Sequence, residues 1–238
     1  MKTQKEIFLS SEGDQWFLRN KEQYKKQKND DGILIESLKK LEITPKVVLE
    51  IGCANGTKLN EFNKTFKAEC FGIDPSTKAI ENGKKEFRNI NLQVGTADSL
   101  PFDDNKFDMI IFGFCLYLCD RDDLFKIAFE VDRCLRNNGY LVIMDFYSPI
   151  PYKNKYKHKE GVHSYKMDYA RLFNWNPAYN EIFNILFSHS GFSKRNIPDE
   201  KIAITILHKS EEFAYLTEPY FNGEVKVAIP FRENSEHF

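Results

Sequence analysis

The stretch KVVLEIGCANG, Lys46 to Gly56, decides how this chain is built. A short apolar, β-branched run that does not alternate with polar residues reads as a strand buried on both faces. It stops at Gly52, and Gly56 follows four residues later, where a helical pattern over 56–66 begins. Glycine lets the backbone turn sharply and lets a ligand come close. The helix start then offers N–H groups that lack intrahelical partners. The spacing is Gly-x-x-x-Gly, not Gly-x-Gly-x-x-Gly, which argues against an ordinary NAD site. No Walker lysine pattern follows either.

Downstream, strands and helices alternate. Glu69–Ile73 reads as a strand ending at Asp74, and Pro75–Phe87 as a helix with proline in its first turn. Leu92–Thr96 and Phe107–Gly113 read as strands, Arg121–Leu135 as a helix, and Tyr140–Phe146 as a fifth strand after the turn Asn137–Gly139. Such alternation implies a parallel sheet with helices on both faces and right-handed crossovers. Ligands then bind beyond the carboxyl ends of the strands, so the residues after Ile51, Ile73, Thr96, Ile111 and Ile143 border one crevice. Upstream, 12–29 reads as a surface helix with Trp16, Phe17 and Tyr24 as its apolar positions, and 30–42 as a second helix broken by Thr44 and Pro45. Residues 147–177 interrupt the alternation with Tyr, Lys and Pro. A helix is expected at about 178–190, a strand at Lys201–His208 and a short edge strand at Val225–Ile229. The organisation is a helical cap (1–44), a core (45–208) with an insertion over the acceptor (147–177), and an extension (209–238).

Composition narrows the function. Lys and Arg total 34 against 35 Asp and Glu, so there is no general basic excess of the kind that holds nucleic acid. No run of 18 apolar residues is present to span a membrane, and the N-terminus lacks an apolar signal core. The five cysteines form no CxxC pair and have no histidine at zinc-finger spacing, so no metal site is expected and the thiols are read as reduced, in the cytoplasm.

Two carboxylates carry the cofactor argument. Asp74 ends the second strand about twenty residues after the glycine turn, where it can accept bonds from ribose hydroxyls, or can cap the next helix. Asp98 follows the third strand in Thr96-Ala97-Asp98-Ser99-Leu100-Pro101-Phe102 and can accept from an adenine amino group; the plainer reading is a solvated loop residue.

In series these residues resemble the class I S-adenosylmethionine-dependent methyltransferases, of the small-molecule, type 11-like kind. The first motif, V-L-D/E-I-G-C-G-x-G, is matched by Val48–Gly56 except that Ala54 stands at the middle glycine, which fits if φ there is negative. Gly72-Ile73-Asp74 matches the second motif and Gly95–Phe102 the third. Phe107-Asp108-Met109-Ile110 matches the fourth, and Leu135–Tyr140 matches the segment that closes the following helix. The resemblance covers roughly 45–146. It implies an α/β, Rossmann-like, seven-stranded, mostly parallel sheet with the last strand antiparallel, the place KIAITILH would take. It also implies S-adenosylmethionine as cofactor. Gly52, Cys53, Asn55 and Gly56 would hold its methionine part, with Glu50 supporting the turn. Asp74, with the adjoining Pro75 and Ser76, would meet the ribose, and Thr96, Ala97 and Asp98 the adenine. Phe112, Gly113 and Phe114 would lie beneath the sulfonium.

The N-terminal segment with Trp16, Arg19 and Asn20 resembles one that packs over the cofactor in some bacterial small-molecule methyltransferases. There Trp16 would close the site and Arg19 or Asn20 would meet the cofactor carboxylate; an amphipathic surface helix is the alternative. Lys153, Lys155, Lys157, His158 and Lys159 form a basic cluster that could attract a phosphate, a sugar nucleotide or a carboxylate, or could be a solvated loop. His163 leads as general base, with Tyr147, Asp145 and Tyr165 as other groups near the acceptor; an acceptor that is already acidic needs none. His189 and His208 read as packing residues. The expectation is methyl transfer to a small polar metabolite, with no nucleic acid or membrane partner and the oligomeric state open. A protein or RNA substrate, or a non-catalytic binding module, are the alternatives.

Overall fold

The computed structural model describes residues 2–24, 29–188, 197–212, 214–215, 220–221 and 224–225. The strand expected at Lys46–Ile51 is β1 (Val47–Ile51), central in a seven-stranded sheet. It pairs in parallel with β2 (Glu69–Asp74) on one side and β4 (Phe107–Gly113) on the other. Beyond β2 lies β3 (Asn91–Val94), and beyond β4 lies β5 (Leu135–Phe146), both parallel to their neighbours. KIAITILH forms most of β9 (Lys201–Lys209), antiparallel to β5, and β8 (Tyr179–Ser188) closes the edge antiparallel to β9. The order is β3-β2-β1-β4-β5-β9-β8.

Each sheet face carries its own core, because side chains alternate along a strand. In β1, Val48 packs with α3 (Asn29–Lys40), α4 (Thr57–Phe66) and α5 (Thr77–Glu86) through Leu38, Phe62 and Ile80. Its neighbours Leu49 and Ile51 face the other way, toward Ile127 and Val131 of α6 (Leu124–Cys134) and Phe173 of α7 (Arg171–Asn174). Asp108 explains the Phe-Asp motif. Its carboxylate accepts from Lys46 N–H at 2.9 Å and Val47 N–H at 3.1 Å, tying the start of β1 to β4.

The structure corrects several boundaries and one element. The segment at 178–190, read as a helix, is β8 over its described part, and His189 lies outside the described residues. Pro75 is not in the first turn of α5; Ser76 is the N-cap, its hydroxyl accepting from Ala79 N–H. β5 starts at Leu135, paired with Phe107, so the turn read at 137–139 lies within the strand, beside a register shift. Of the short strand read at 225–229, Val225 belongs to β11 (Glu224–Val225), which pairs with β10 (Tyr220–Phe221) outside the main sheet; the rest lies outside the described residues. The insertion forms a hairpin, β6 (Tyr152–Lys155) with β7 (His163–Lys166). The N-terminal helix is three pieces, α1 (Gln4–Ile7), a π-helical turn (Phe8–Glu12) and α2 (Gly13–Tyr24).

Candidate active site

A cleft lies at the carboxyl ends of β1, β2 and β4, with about 850 Å³ of space that is partly open to solvent. Its floor is the glycine bend. Gly52 has φ +78°, and a Cβ there would stand 2.7 Å from the Cβ of Cys115, so only glycine lets the two loops close together. Gly56 also has positive φ, and a Cβ there would meet Ile90 at 2.6 Å. Ala54 has φ +47°, so the condition set for it from the sequence is overturned: an alanine occupies a left-handed position that favours glycine.

The bend is fastened to the tip of β2. Gly52 and Cys53 N–H donate to the Ile73 carbonyl, and Ala54 N–H donates to Asp74 Oδ2 at 2.9 Å. What Gly52 offers a ligand is therefore bare backbone and space rather than its N–H. Asp74 lines the cleft, with Oδ1 accepting from Ser76 N–H at 2.8 Å. Burial pushes its carboxyl up to about 6 against those two bonds. Two acceptor bonds leave a carboxylate capacity for more, as two ribose hydroxyls require.

Asp98 forms the opposite end. It is 5% exposed, and Lys5 and Lys126 both donate to its Oδ2, at 2.7 and 3.3 Å. Burial would raise its carboxyl, but the Lys5 bond and the Thr96 hydroxyl outweigh it and hold the group at about 2. Between the carboxylates, Trp16, Pro75, Thr96, Ala97, Gly113 and Phe114 also line the cleft. Phe114 sits at φ +54°, which is rare for so bulky a residue, with its N–H donated to the Met144 carbonyl.

Other expected site residues lie elsewhere. Phe112 is fully buried against Phe173 in the core, not beneath the cleft. Cys53 is buried in the other core, and Asn55 bonds Asn82 and Thr57. Glu50 is 2% exposed and pairs with Lys58 at 3.0 Å, under Gly113. Arg19 is held by Glu12 and the Tyr156 hydroxyl, and Asn20 donates to the Trp16 carbonyl, so neither meets the cleft.

None of the four acceptor-side candidates lines the cleft. Asp145 is buried at 2%, and its carboxylate accepts from the N–H groups of Leu116, Tyr117 and Phe146; burial pushes it up to about 7. It fixes the turn after β4. His163 is half-buried, and its backbone N–H donates to Gln4 Oε1. Tyr147 N–H donates to the Lys201 carbonyl, and the Tyr165 ring lies 4.2 Å under the Arg121 guanidinium. His208 packs against Tyr140, as expected.

Sequence reasoning missed the wall built from the start of the helical cap and the turn after β4. Lys5, Phe8 and Gly13 line one side, and Cys115, Leu118, Cys119, Asp120 and Asp123 the other. These residues follow no strand-end motif. Their only sequence signal was position, since the turn after β4 had to border the crevice.

The chain's likeness to known proteins agrees with this geometry. Residues 48–139 match the family model described as a methyltransferase domain. Over those residues the chain carries a methyltransferase domain, and S-adenosylmethionine is its cofactor. It is similar to the uncharacterized methyltransferase YcgJ of Bacillus subtilis, 28% identical over 82% of this chain and 86% of the relative. It is also similar to a demethylmenaquinone methyltransferase of Thermotoga maritima, 28% identical over 76% of each. The fold matches the crystal structure of an S-adenosylmethionine-dependent methyltransferase from Methanosarcina mazei with a TM-score of 0.57, at 18% identity, covering 70% of this chain and 93% of that one.

Proposed function

We propose that the protein methylates a small molecule that meets the cleft with an apolar body and presents a nucleophile that ionises unaided near neutral pH. The observation that carries this is the lining of the cleft: Phe8, Trp16, Phe114, Leu118 and Ile127 are apolar, and the cation among the described lining residues, Lys5, is engaged by Asp98 and Asp123. The cofactor, when bound, supplies a methyl group on a sulfonium that departs as a neutral thioether. The residues supply place and exclusion. Asp74 would accept the ribose hydroxyls and Asp98 the adenine amino group, and the Gly52 and Gly113 backbones would admit close approach. Phe114 and Trp16 would keep water from the methyl, so that alignment does most of the work. With His163, Tyr147, Asp145 and Tyr165 all outside the cleft, the reading assigns no general base. The quinone-type substrate named for the Thermotoga relative supports an apolar acceptor.

A second reading, an anionic polar acceptor such as a sugar phosphate, rests on the exposed Lys153, Lys155, Lys157 and Lys159 of one hairpin. Turnover of labelled S-adenosylmethionine against two panels separates the readings. One holds apolar carboxylates and phenols made acidic by electron-withdrawing groups; the other holds sugar phosphates and sugar nucleotides. Methylation confined to the second panel would overturn the first reading.

A further inference from the structure

The N-terminal helical segment crosses the mouth of the cleft and is fixed on both shores. On the β2 side, Asp14 accepts from the Ser76 hydroxyl at 2.8 Å and from Lys78 N–H at 2.9 Å. Gly13 lies so close that a Cβ would stand 3.2 Å from Ser76 N. On the β4 side, Gln4 and Lys5 N–H donate to the Asp120 carboxylate, and Gln4 Nε2 donates to the Leu118 carbonyl. Lys5 Nζ reaches further in, to Asp98 Oδ2 at 2.7 Å and Asp123 Oδ2 at 2.8 Å. The π-helical turn Phe8–Glu12 joins the two anchorages. Such turns interrupt regular helix bonding and recur at functional sites.

We propose that Lys5 is both a latch and a positioning residue: by bridging Asp98 and Asp123 it shuts the segment 4–16 over the adenine end and sets the rate of cofactor exchange. The inference rests on Asp98 being the adenine acceptor. Two features make the bridge suited to that task. Both lysines use the same oxygen of Asp98, so neither consumes Oδ1. Asp14 and Gly13 grip a different shore, so releasing the Lys5 side chain loosens the β4 end, which then hangs on the Gln4 and Lys5 bonds to Asp120 and Leu118, and leaves the other end as it was. Lys5 also lines the cleft itself, so a ligand large enough to fill that end cannot leave past a closed bridge.

The test uses the full chain and S-adenosylhomocysteine, with stopped-flow fluorescence of Trp16, which faces the cleft, as the signal. Lys5→Met keeps the stem and removes the charge. It is expected to raise the dissociation rate about 10-fold and to speed association as well, the mark of an opened gate rather than of a lost contact alone. Asp123→Asn, which spares Asp98, should give a smaller acceleration in the same direction, and Lys5→Arg should restore slow exchange. Amide hydrogen exchange without ligand should show faster exchange over residues 4–12 in Lys5→Met and unchanged exchange in β1 and β4. Unchanged exchange at 4–12 overturns the latch even if cofactor binding is normal. A dissociation rate equal to the parent's overturns the gating role. Failure of the parent itself to bind S-adenosylhomocysteine would instead remove the cofactor assignment beneath it.

Discussion

Single residues in this site are held in conformations or charge states that cost something elsewhere. Ala54 is left-handed at φ +47°, where a Cβ crowds the following carbonyl. Ala54→Gly is therefore expected to raise stability by about 1 kcal/mol, read as a higher urea midpoint with unchanged slope. A lower midpoint would show that the Cβ packs well enough to offset the strain. Asp74 takes up a proton as pH falls through about 6, against an ordinary carboxyl value of 3.8. Its ionised form, the one that accepts ribose hydroxyls, is populated above that pH and lost below it. Affinity for S-adenosylhomocysteine should thus fall between pH 7 and pH 5. Asp74→Ala should weaken binding by about 1–3 kcal/mol at pH 7.5 and flatten the profile. A parent profile that is level across this range would place the ribose elsewhere. Both carboxylates of the site were legible in the sequence, because each follows a strand end at a set distance from the glycine bend. Lys5 was not, since its partners stand 93 and 118 positions away and nothing local to KEIF marks them.

At the level of elements, the helix expected at 178–190 shows what spacing alone can hide. Tyr179, Phe183 and Phe187 recur every four residues, a helical period. In β8 the register shifts between Glu181 and Phe183, and the shift changes which face the strand presents. Tyr179 joins the core beneath α6 and α7, while Phe183 and Phe187 join the opposite one. A bulge thus imitates the period of a helix. The central strands carry no such irregularity in β1 and β2, and their unbroken apolar runs were readable. The turn after β4 depends on β5 through Asp145, whose carboxylate satisfies three backbone N–H groups. Asp145→Ala leaves those donors buried without it and is expected to cost about 2–4 kcal/mol in urea unfolding. A loss under 1 kcal/mol, with turnover abolished, would return Asp145 to the acceptor side.

On the scale of the whole molecule, one cleft serves two cores, so filling it should stiffen both. S-adenosylhomocysteine at 100 times its dissociation constant is expected to add about 2.7 kcal/mol to stability, seen as a rise in Tm that grows with ligand concentration. Neutralising Lys153, Lys155, Lys157 and Lys159 together to Gln should leave that rise intact. If KM for the acceptor then climbs severalfold, the anionic acceptor is favoured; an unchanged KM favours the apolar one. The parallel half of the sheet could be derived from the chain because its strands are short, continuous and separated by helices. The site could be derived only in part, since one wall comes from a segment that never enters the sheet. The family match begins at residue 48, yet Lys5, Phe8, Gly13 and Trp16 stand around the ligand space. The working unit of this enzyme is thus larger than the stretch the family model matches: residues 48–139 hold the floor of its binding site, and the roof comes from the chain before them.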